Sequence, residues 1–530
     1  MGPLFPDPPR GGTPHEVLRD VYGFREFRPG QLVLIEAVLA GRDAIGVMPT
    51  GAGKSLTFQI PARLLGGTAL VVSPLLSLMK DQVDGLAAKG FRVTVLNSTL
   101  GQEERRARLA ALRRGEYELC YVSPEGLDGW LRDFLRGCGI SFVAVDEAHC
   151  ISQWGHDFRP AYRRLRELKQ HFGGVPILAL TATATRRVAG DIIGQLGMHK
   201  PAGFMGSFFR PNLKLHGYRK GDGREVRDEI LRYAAARRGQ SGIVYCLSRR
   251  GVEGLADFLR RGGVRALPYH AGLERERAAH QDAFVSGEVD VMVATIAFGM
   301  GIDKPDIRWV VHRDMPRNVE GWYQEIGRAG RDGADADCLL YYSWADVITY
   351  ERFLDPETDA AINADVQRRT VEMFRLADAR GCRHRALVGY FGEKIDDCGS
   401  ACDGCGRPDA LADLAPAPAV TRRRRRGEAS GGGAAGGAGG GRGGRSALGA
   451  PPVPALAGAA AETFQRLREL RRTLAAEEGV PAYVVFNDAT LRAMAELRPR
   501  NEQELLRIGG VGPAKLQRYG GAFLRLLREG

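Results

Sequence analysis

The segment Val47-Met-Pro-Thr-Gly-Ala-Gly-Lys-Ser55 constrains this chain more than any other stretch. It follows an apolar run, Asp43–Met48, and precedes a helical pattern, so it reads as strand, glycine loop, helix. Thr50, Gly51, Ala52 and Gly53 would turn backbone N–H groups toward phosphate oxygens, and the helix N-terminus adds a positive end. Lys54 would reach the β- and γ-phosphates of a nucleotide, and the Ser55 hydroxyl would hold Mg²⁺. Met48 stands where the strict pattern has glycine, so the loop is a variant.

Such a loop belongs at the end of a parallel strand. Further apolar runs lie at Ala69–Ser73, Val93–Leu96, Leu119–Ser123, Phe142–Asp146 and Ile177–Thr181, each followed by a helical pattern or a loop. This alternation predicts a parallel sheet covered on both faces. A second set follows at Gly242–Cys246, Ala266–Tyr269, Val291–Ala294, Trp309–His312 and Asp337–Tyr342. Two α/β lobes in tandem leave a cleft between them, a common ligand position.

Each lobe supplies charged groups suited to that cleft. Val143-Ala-Val-Asp-Glu-Ala-His149 ends an apolar strand with two carboxylates. Asp146 suits Mg²⁺ binding through water, and Glu147 suits orienting and deprotonating an attacking water. Adjacent acids on a loop are also what a solvated surface carries. Tyr323-Gln-Glu-Ile-Gly-Arg-Ala-Gly-Arg-Asp-Gly333 places Arg328 and Arg331 three apart, on one helix face or flanking a tight turn. Arginines from a second lobe can stabilise γ-phosphate charge in the transition state, whereas an isolated pair is ordinarily a surface salt-bridge helix.

Composition narrows the partners. The chain has 530 residues, enough for about three to five domains. Its 44% hydrophobic content excludes a wholly disordered protein, and its net charge of +12 points to a polyanion such as nucleic acid or to an acidic membrane face. The opening MGPLFPDPPRGG lacks the apolar core of a signal peptide, and no stretch approaches the ~20 apolar residues of a membrane span. No membrane partner is expected, and an odd cysteine count beside these motifs predicts a reducing, cytoplasmic setting. Cys120, Cys138, Cys150, Cys246 and Cys338 are isolated, but Cys382, Cys398, Cys402 and Cys405 cluster as C-x15-C-x3-C-x2-C. Four thiolates suit a closed, structural Zn²⁺ site with bonds of ~2.3 Å. His384 is an alternative ligand, and four free thiols are the plainer reading. Residues 409–459 turn Ala/Pro/Gly/Arg-rich, with the run Arg422–Arg426, and read as a flexible basic linker. Helical periodicity returns at Phe464, Leu467, Leu470 and Leu474.

These pieces, in this order, resemble a superfamily 2 helicase, and specifically the RecQ family of DNA helicases, over residues 15–405 and the C-terminal stretch. Tyr22-Gly-Phe-Arg-Glu-Phe-Arg-Pro-Gly-Gln31 resembles the family's adenine-reading segment. The resemblance implies Phe24 stacking on adenine, with Arg28 and Gln31 bonding the nucleotide; a glutamine amide can donate to and accept from a base edge. It also implies that Gln324 lines the ATP cleft with Lys54, Ser55, Asp146, Glu147, Arg328 and Arg331, with Arg331 as arginine finger. Cys150-Ile-Ser-Gln-Trp-Gly-His-Asp-Phe-Arg-Pro160 is similar to the aromatic-rich loop, which implies DNA contacts from Gln153, Trp154, His156, Phe158 and Arg159. A Trp and a Phe four apart also occur as plain helix core. Pro74–Gln82 and Tyr121–Glu125 resemble DNA-contacting motifs, and Leu180–Thr185 the motif coupling hydrolysis to movement. The expected architecture is α/β: two RecA-like parallel-sheet lobes at 15–208 and 209–345 after a loose 1–14, a helical zinc-binding subdomain at 346–408, the linker, and a small all-α HRDC domain at 460–530.

Within the HRDC-like end, Ile508–Gly512 would bring backbone amides to phosphate, with Lys515 and Arg518 assisting. A helical bundle without strong DNA affinity is the other reading. The winged-helix domain that follows the zinc site in many RecQ proteins is missing, because the zinc cysteines run straight into the linker. The resemblance implies ATP, Mg²⁺ and Zn²⁺ as cofactors and 3′-to-5′ movement on single-stranded DNA. It further implies unwinding of tailed or forked duplexes in recombination and repair, and a single-strand-binding protein as partner. The rivals are an RNA helicase, a strand-annealing scaffold, and a DNA-stimulated translocase that unwinds weakly.

Overall fold

The computed structural model describes residues 12–416 and 459–528, apart from 75, 98–99, 128, 153–154, 156, 222, 274, 300–303, 355–359, 479–481, 487 and 513–514. The chain forms two compact units, one through Arg423 and one from Arg424. The first unit holds both lobes.

In the first lobe, β1 (Ala44–Val47), β2 (Thr68–Val72), β3 (Val93–Leu96), β4 (Leu119–Val122), β5 (Ile140–Val145), β6 (Ile177–Thr181) and β7 (Ala202–Met205) make one sheet in the order β3-β4-β2-β5-β6-β1-β7. Every pairing is parallel. Strands β1, β2 and β4 are buried along their whole length, as a sheet covered by helices on both faces requires. In the second lobe, β8 (Leu213–Arg219), β9 (Ser241–Tyr245), β10 (Ala266–Tyr269), β11 (Val291–Ala294), β12 (Ile307–His312) and β13 (Ala336–Tyr342) pair in the order β10-β11-β9-β12-β13-β8, again all parallel.

β7 and β8 are additions to the strands read from the sequence. Each is an edge strand, and the link between them, residues 206–212, joins the lobes. Two helices, Trp344–Glu351 and Ala360–Asp378, lead to a third, Arg383–Tyr390, and then to the cysteine cluster. Packed chain continues past 408. Leu411 joins the second lobe's core with Tyr218, Trp309 and Tyr341, and Tyr218 donates to Asp409 at 2.6 Å.

The second unit is helical. Helix Ala459–Glu478 buries Leu467, with Phe464, Leu470 and Leu474 partly buried beside it, so the expected apolar stripe is the packing face. Helices Asp488–Leu497 and Gly521–Arg528 close a core around Phe486, Met494 and Phe523.

Candidate active site

β1 is short and buried, so the chain leaves the sheet directly into the glycine loop, and helix Leu56–Leu64 begins just after Ser55. Gly51 and Gly53 adopt φ of 84° and 77°, the left-handed region that costs an L side chain about 1–2 kcal/mol. The loop is braced from below by two residues read as nucleotide contacts. Gln31 donates through Nε2 to the carbonyls of Ala52 (3.1 Å) and Gly53 (3.0 Å), and its Oε1 accepts from the Arg28 backbone N–H. The Arg28 guanidinium bonds the Gly51 carbonyl. In this state both side chains serve the loop, and base contacts from them require exchanging these bonds. Phe24 is 53% exposed, with its ring open to a stacking partner.

β5 delivers the paired carboxylates. Asp146 N–H bonds the Val72 carbonyl, and the Glu147 N–H bonds Asp146 Oδ1 at 2.9 Å. Desolvation and then the Glu147 carboxylate push the Asp146 carboxyl up to about 6, with Lys54 pulling the other way. Glu147 has a φ of 46°, strain of the sort found at functional positions. Its carboxylate lies 3.3 Å from His149 Nδ1. His149 is buried, which by itself disfavours its charged form; Cys150 and Glu147 beside it reverse that and raise it to about 10.

From His149 a polar path crosses to the other lobe. His149 Nδ1 meets Thr181 Oγ1 at 2.9 Å, Thr181 Oγ1 donates to the Thr183 carbonyl, and Gln324 Nε2 donates to Thr183 Oγ1 at 3.0 Å. Gln324 lies on helix Val319–Ile326 of the second lobe.

The two arginines separate. Both follow that helix, but Arg328 is buried within its own lobe, bonding the Gly299 carbonyl, whereas Arg331 reaches toward the first lobe. A methyl placed on Gly51 would stand 3.5 Å from Arg331 Cγ. Arg28, Thr50, Gly51, Ala52, Arg210 and Arg331 are among the residues around a cleft of about 490 Å³ between the lobes. Sequence reading missed Arg210 and Asn212. Arg210 donates to the carbonyls of Ala329 (2.9 Å), Gly330 (2.7 Å) and Gly327 (3.4 Å), and Asn212 Nδ2 to Gly330 and Ala334. They hold the arginine loop in shape.

The four cysteine sulfurs lie within 4.8 Å of one another. Backbone N–H groups of Arg385 and Cys398 donate to Cys382 Sγ, and that of Arg383 to Cys402 Sγ, as thiolate sulfurs accept. This donor set fits Zn²⁺. His384 is no substitute ligand: it is buried and its Nε2 bonds the Leu213 carbonyl on β8.

Of the expected DNA contacts, Gln153, Trp154 and His156 lie outside the described residues. Phe158 sits against Arg163, 5.0 Å from guanidinium to ring. Arg159 is held by Asp157 at 3.1 Å and by the Pro74 carbonyl. In the helical unit, Thr490 Oγ1 ties down the Gly509 carbonyl, and Lys515 lies half-buried 5.5 Å over Phe486, its pKa lowered by that burial.

Two parallel-sheet lobes, a phosphate loop on one and an arginine loop facing it from the other, define a two-lobed P-loop ATPase. The DEAD/DEAH box helicase family matches residues 28–192 and the helicase conserved C-terminal domain 224–333. RecQ zinc-binding matches 344–406 and the HRDC domain 460–527. The ATP-dependent DNA helicase RecQ of Pasteurella multocida is 36% identical over 611 residues, covering 99% of this chain and 95% of that one. The protein of the same name from Bacillus subtilis is 36% identical over 582 residues, covering 96% and 97%. The solved structure of the DUF1998 helicase MrfA bound to DNA shares the fold, with a TM-score of 0.54 at 17% identity over 70% of this chain and 58% of that one. The chain belongs to the RecQ family of ATP-dependent DNA helicases. The 611-residue alignment exceeds the 530 residues here, so the Pasteurella relative carries segments with no counterpart in this chain.

Proposed function

We propose that this chain hydrolyses ATP in the inter-lobe cleft and uses the lobe movement to travel 3′-to-5′ along single-stranded DNA, unwinding tailed or forked duplexes in recombination and repair. The observation that carries the reading is the apposition of Arg331 and Gly51 across the cleft. Lys54 and the amides of Thr50–Gly53 hold the phosphates. Ser55 and Asp146 would hold Mg²⁺, which would supply charge neutralisation on the transferring phosphoryl group. Glu147 takes the proton from the attacking water, and Arg331 stabilises the charge that builds on the γ-phosphate. Arg328 keeps the second lobe's side of the cleft in register through Gly299, and Gln324 reports the state of the Asp146–His149 segment through Thr183. Phe24 stacks on the adenine, and Arg28 and Gln31 exchange loop carbonyls for nucleotide atoms on binding. The aromatic-rich loop around Phe158 and Arg159, with Gln153, Trp154 and His156, grips bases and phosphates.

No helix among the described residues is long and apolar enough to cross a membrane. The setting we propose is the cytosol, with a single-strand-binding protein as partner. Lys54→Ala is expected to abolish ATP hydrolysis with DNA affinity largely intact; normal turnover in that variant defeats the phosphate-site assignment.

A second reading is favoured by one observation: family matches stop at 406 and resume at 460, so they cover no strand-separating domain there. On that reading the chain is a DNA-stimulated translocase that separates strands weakly. ATP hydrolysis measured beside unwinding of a 3′-tailed duplex at low salt decides. Stimulated hydrolysis with strand separation supports the helicase, and stimulated hydrolysis without it supports the translocase.

A further inference from the structure

We propose that Glu393 is a positioning residue for the reaction. From the zinc subdomain it fixes the link between the lobes, and through that link it sets the arginine loop opposite the glycine loop. The inference rests on the reading of Arg331 given above.

The link residues 206–212 are short and carry two functions. Ser207 and Arg210 border the cleft, and Arg210 binds three carbonyls of the arginine loop. Any rotation at 207–209 therefore moves the groups that shape that loop. Glu393 holds this point with both oxygens: Oε1 accepts from Ser207 Oγ at 2.5 Å, and Oε2 from the Phe208 N–H at 2.6 Å. Ser207 Oγ in turn accepts from the Phe209 N–H at 3.1 Å. A carboxylate is the side chain suited to receive two donors at once, and charge-assisted bonds of this length are the stronger kind.

The apolar contacts follow the same line. The buried Phe208 ring stacks on Phe391 at 4.2 Å and 8°, and meets Tyr323 edge-on at 5.5 Å. Tyr323 OH donates to the Phe208 carbonyl at 3.2 Å, and Tyr323 precedes Gln324 on the helix that leads into the arginine loop. Tyr390 OH bonds Glu320 on that helix at 2.6 Å.

Attachment of the zinc subdomain does not depend on Glu393. That subdomain is already docked on β8, where the Leu215 N–H donates to the Ala401 carbonyl, the Gly217 N–H to Asp403 Oδ2, and the Leu213 carbonyl bonds His384 Nε2 at 2.9 Å. The Glu393 bonds go to the link, and their effect falls on lobe geometry.

The test uses the full chain with Glu393→Ala, Glu393→Gln, Arg331→Lys and the double variant Glu393→Ala/Arg331→Lys. Zinc content, affinity for single-stranded DNA, and kcat and KM for ATP at saturating DNA are measured on each. Glu393→Ala is expected to keep its zinc and DNA affinity and to lose roughly 10- to 100-fold in kcat, the scale of a small misplacement of a catalytic group. Its KM for ATP stays close to that of the parent. Glu393→Gln recovers part of the loss, because its carbonyl still accepts one bond. With Arg331→Lys already present, Glu393→Ala costs about twofold or less, since the two act as one unit. The proposal is overturned by an unchanged kcat, by the same fold-loss in both backgrounds, or by a rise in KM in place of the kcat loss. An unchanged kcat in Arg331→Lys alone defeats the arginine-finger reading instead, so the two failures are distinct. If Glu393→Ala loses zinc or does not fold, Ser207→Ala removes one of the two bonds without touching the zinc subdomain. It must then lower kcat less than Glu393→Ala was expected to, and a parental kcat in it overturns the proposal.

Discussion

Replacing Arg210 separates a brace from a ligand. Its guanidinium is partly buried, with no carboxylate hydrogen-bonded to it among the described residues, and burial lowers its pKa. Its bonds run to the carbonyls of Gly327, Ala329 and Gly330 and to Asn212 Oδ1. The 2.7 and 2.9 Å bonds are the strong ones, and each hydrogen bond to a charged group contributes about 1.5–3 kcal/mol. Asn212 also bonds the Gly330 carbonyl, so part of one bond is redundant. Arg210→Ala thus removes about 2–4 kcal/mol of ordering from the arginine loop. At about 1.4 kcal/mol per tenfold, this lowers kcat roughly 30- to 700-fold if the loop acts only in the transition state. KM for ATP is expected to stay within a few-fold, because Arg210 makes no bond to the glycine loop. Arg210→Lys keeps the charge but not the planar fork and should fall between. Steady-state ATP hydrolysis at saturating single-stranded DNA reads both constants. A raised KM with parental kcat would refute the argument, since it marks a side chain that holds the nucleotide itself.

Two further perturbations probe the coupling path and the zinc site. Thr183→Val keeps the shape but removes the acceptor for Gln324, so DNA-stimulated hydrolysis should survive while strand displacement per ATP falls several-fold; equal losses in both would show that the contact serves chemistry alone. Removing zinc by chelation or by Cys398→Ser should raise amide exchange at Leu215 and Gly217 on β8 together with residues 383–405, because those two N–H groups are bonded by the zinc loop; unchanged protection on β8 would count against that dependence.

Much of the first unit was legible because buried parallel strands read as continuous apolar runs. Ala69–Ser73 and Leu119–Ser123 coincide with β2 and β4 to within a residue or so at each end. β7 and β8 escaped for physical reasons. β7 is four residues long on a sheet edge with alternating exposure, and β8, Leu-Lys-Leu-His-Gly-Tyr-Arg, mixes charge with apolar residues because its outer edge meets another subdomain. The glycine loop and the paired acids are contiguous in sequence, and the structure sets them at the ends of β1 and β5. Arg210 and Asn212 were not legible, since the loop carbonyls they bond lie more than a hundred positions away and nothing in Arg-Pro-Asn signals them. The spacing of Arg328 and Arg331 left a shared helix face open, yet a turn sends one into its own lobe and the other across. His384 looked like a metal ligand by proximity in sequence, but its helix turns it toward β8.

β8 is the last strand of its sheet, and a bare outer strand is a template on which another chain can add. Here its outward groups are spoken for at every second residue: the Leu213 carbonyl by His384, the Leu215 N–H by Ala401, and the Gly217 N–H by Asp403. Those three partners flank Cys382 and Cys402, so loss of the metal is expected to loosen them. A molecule stripped of zinc is then expected to uncap this strand and to self-associate through it, at a rate that rises with protein concentration.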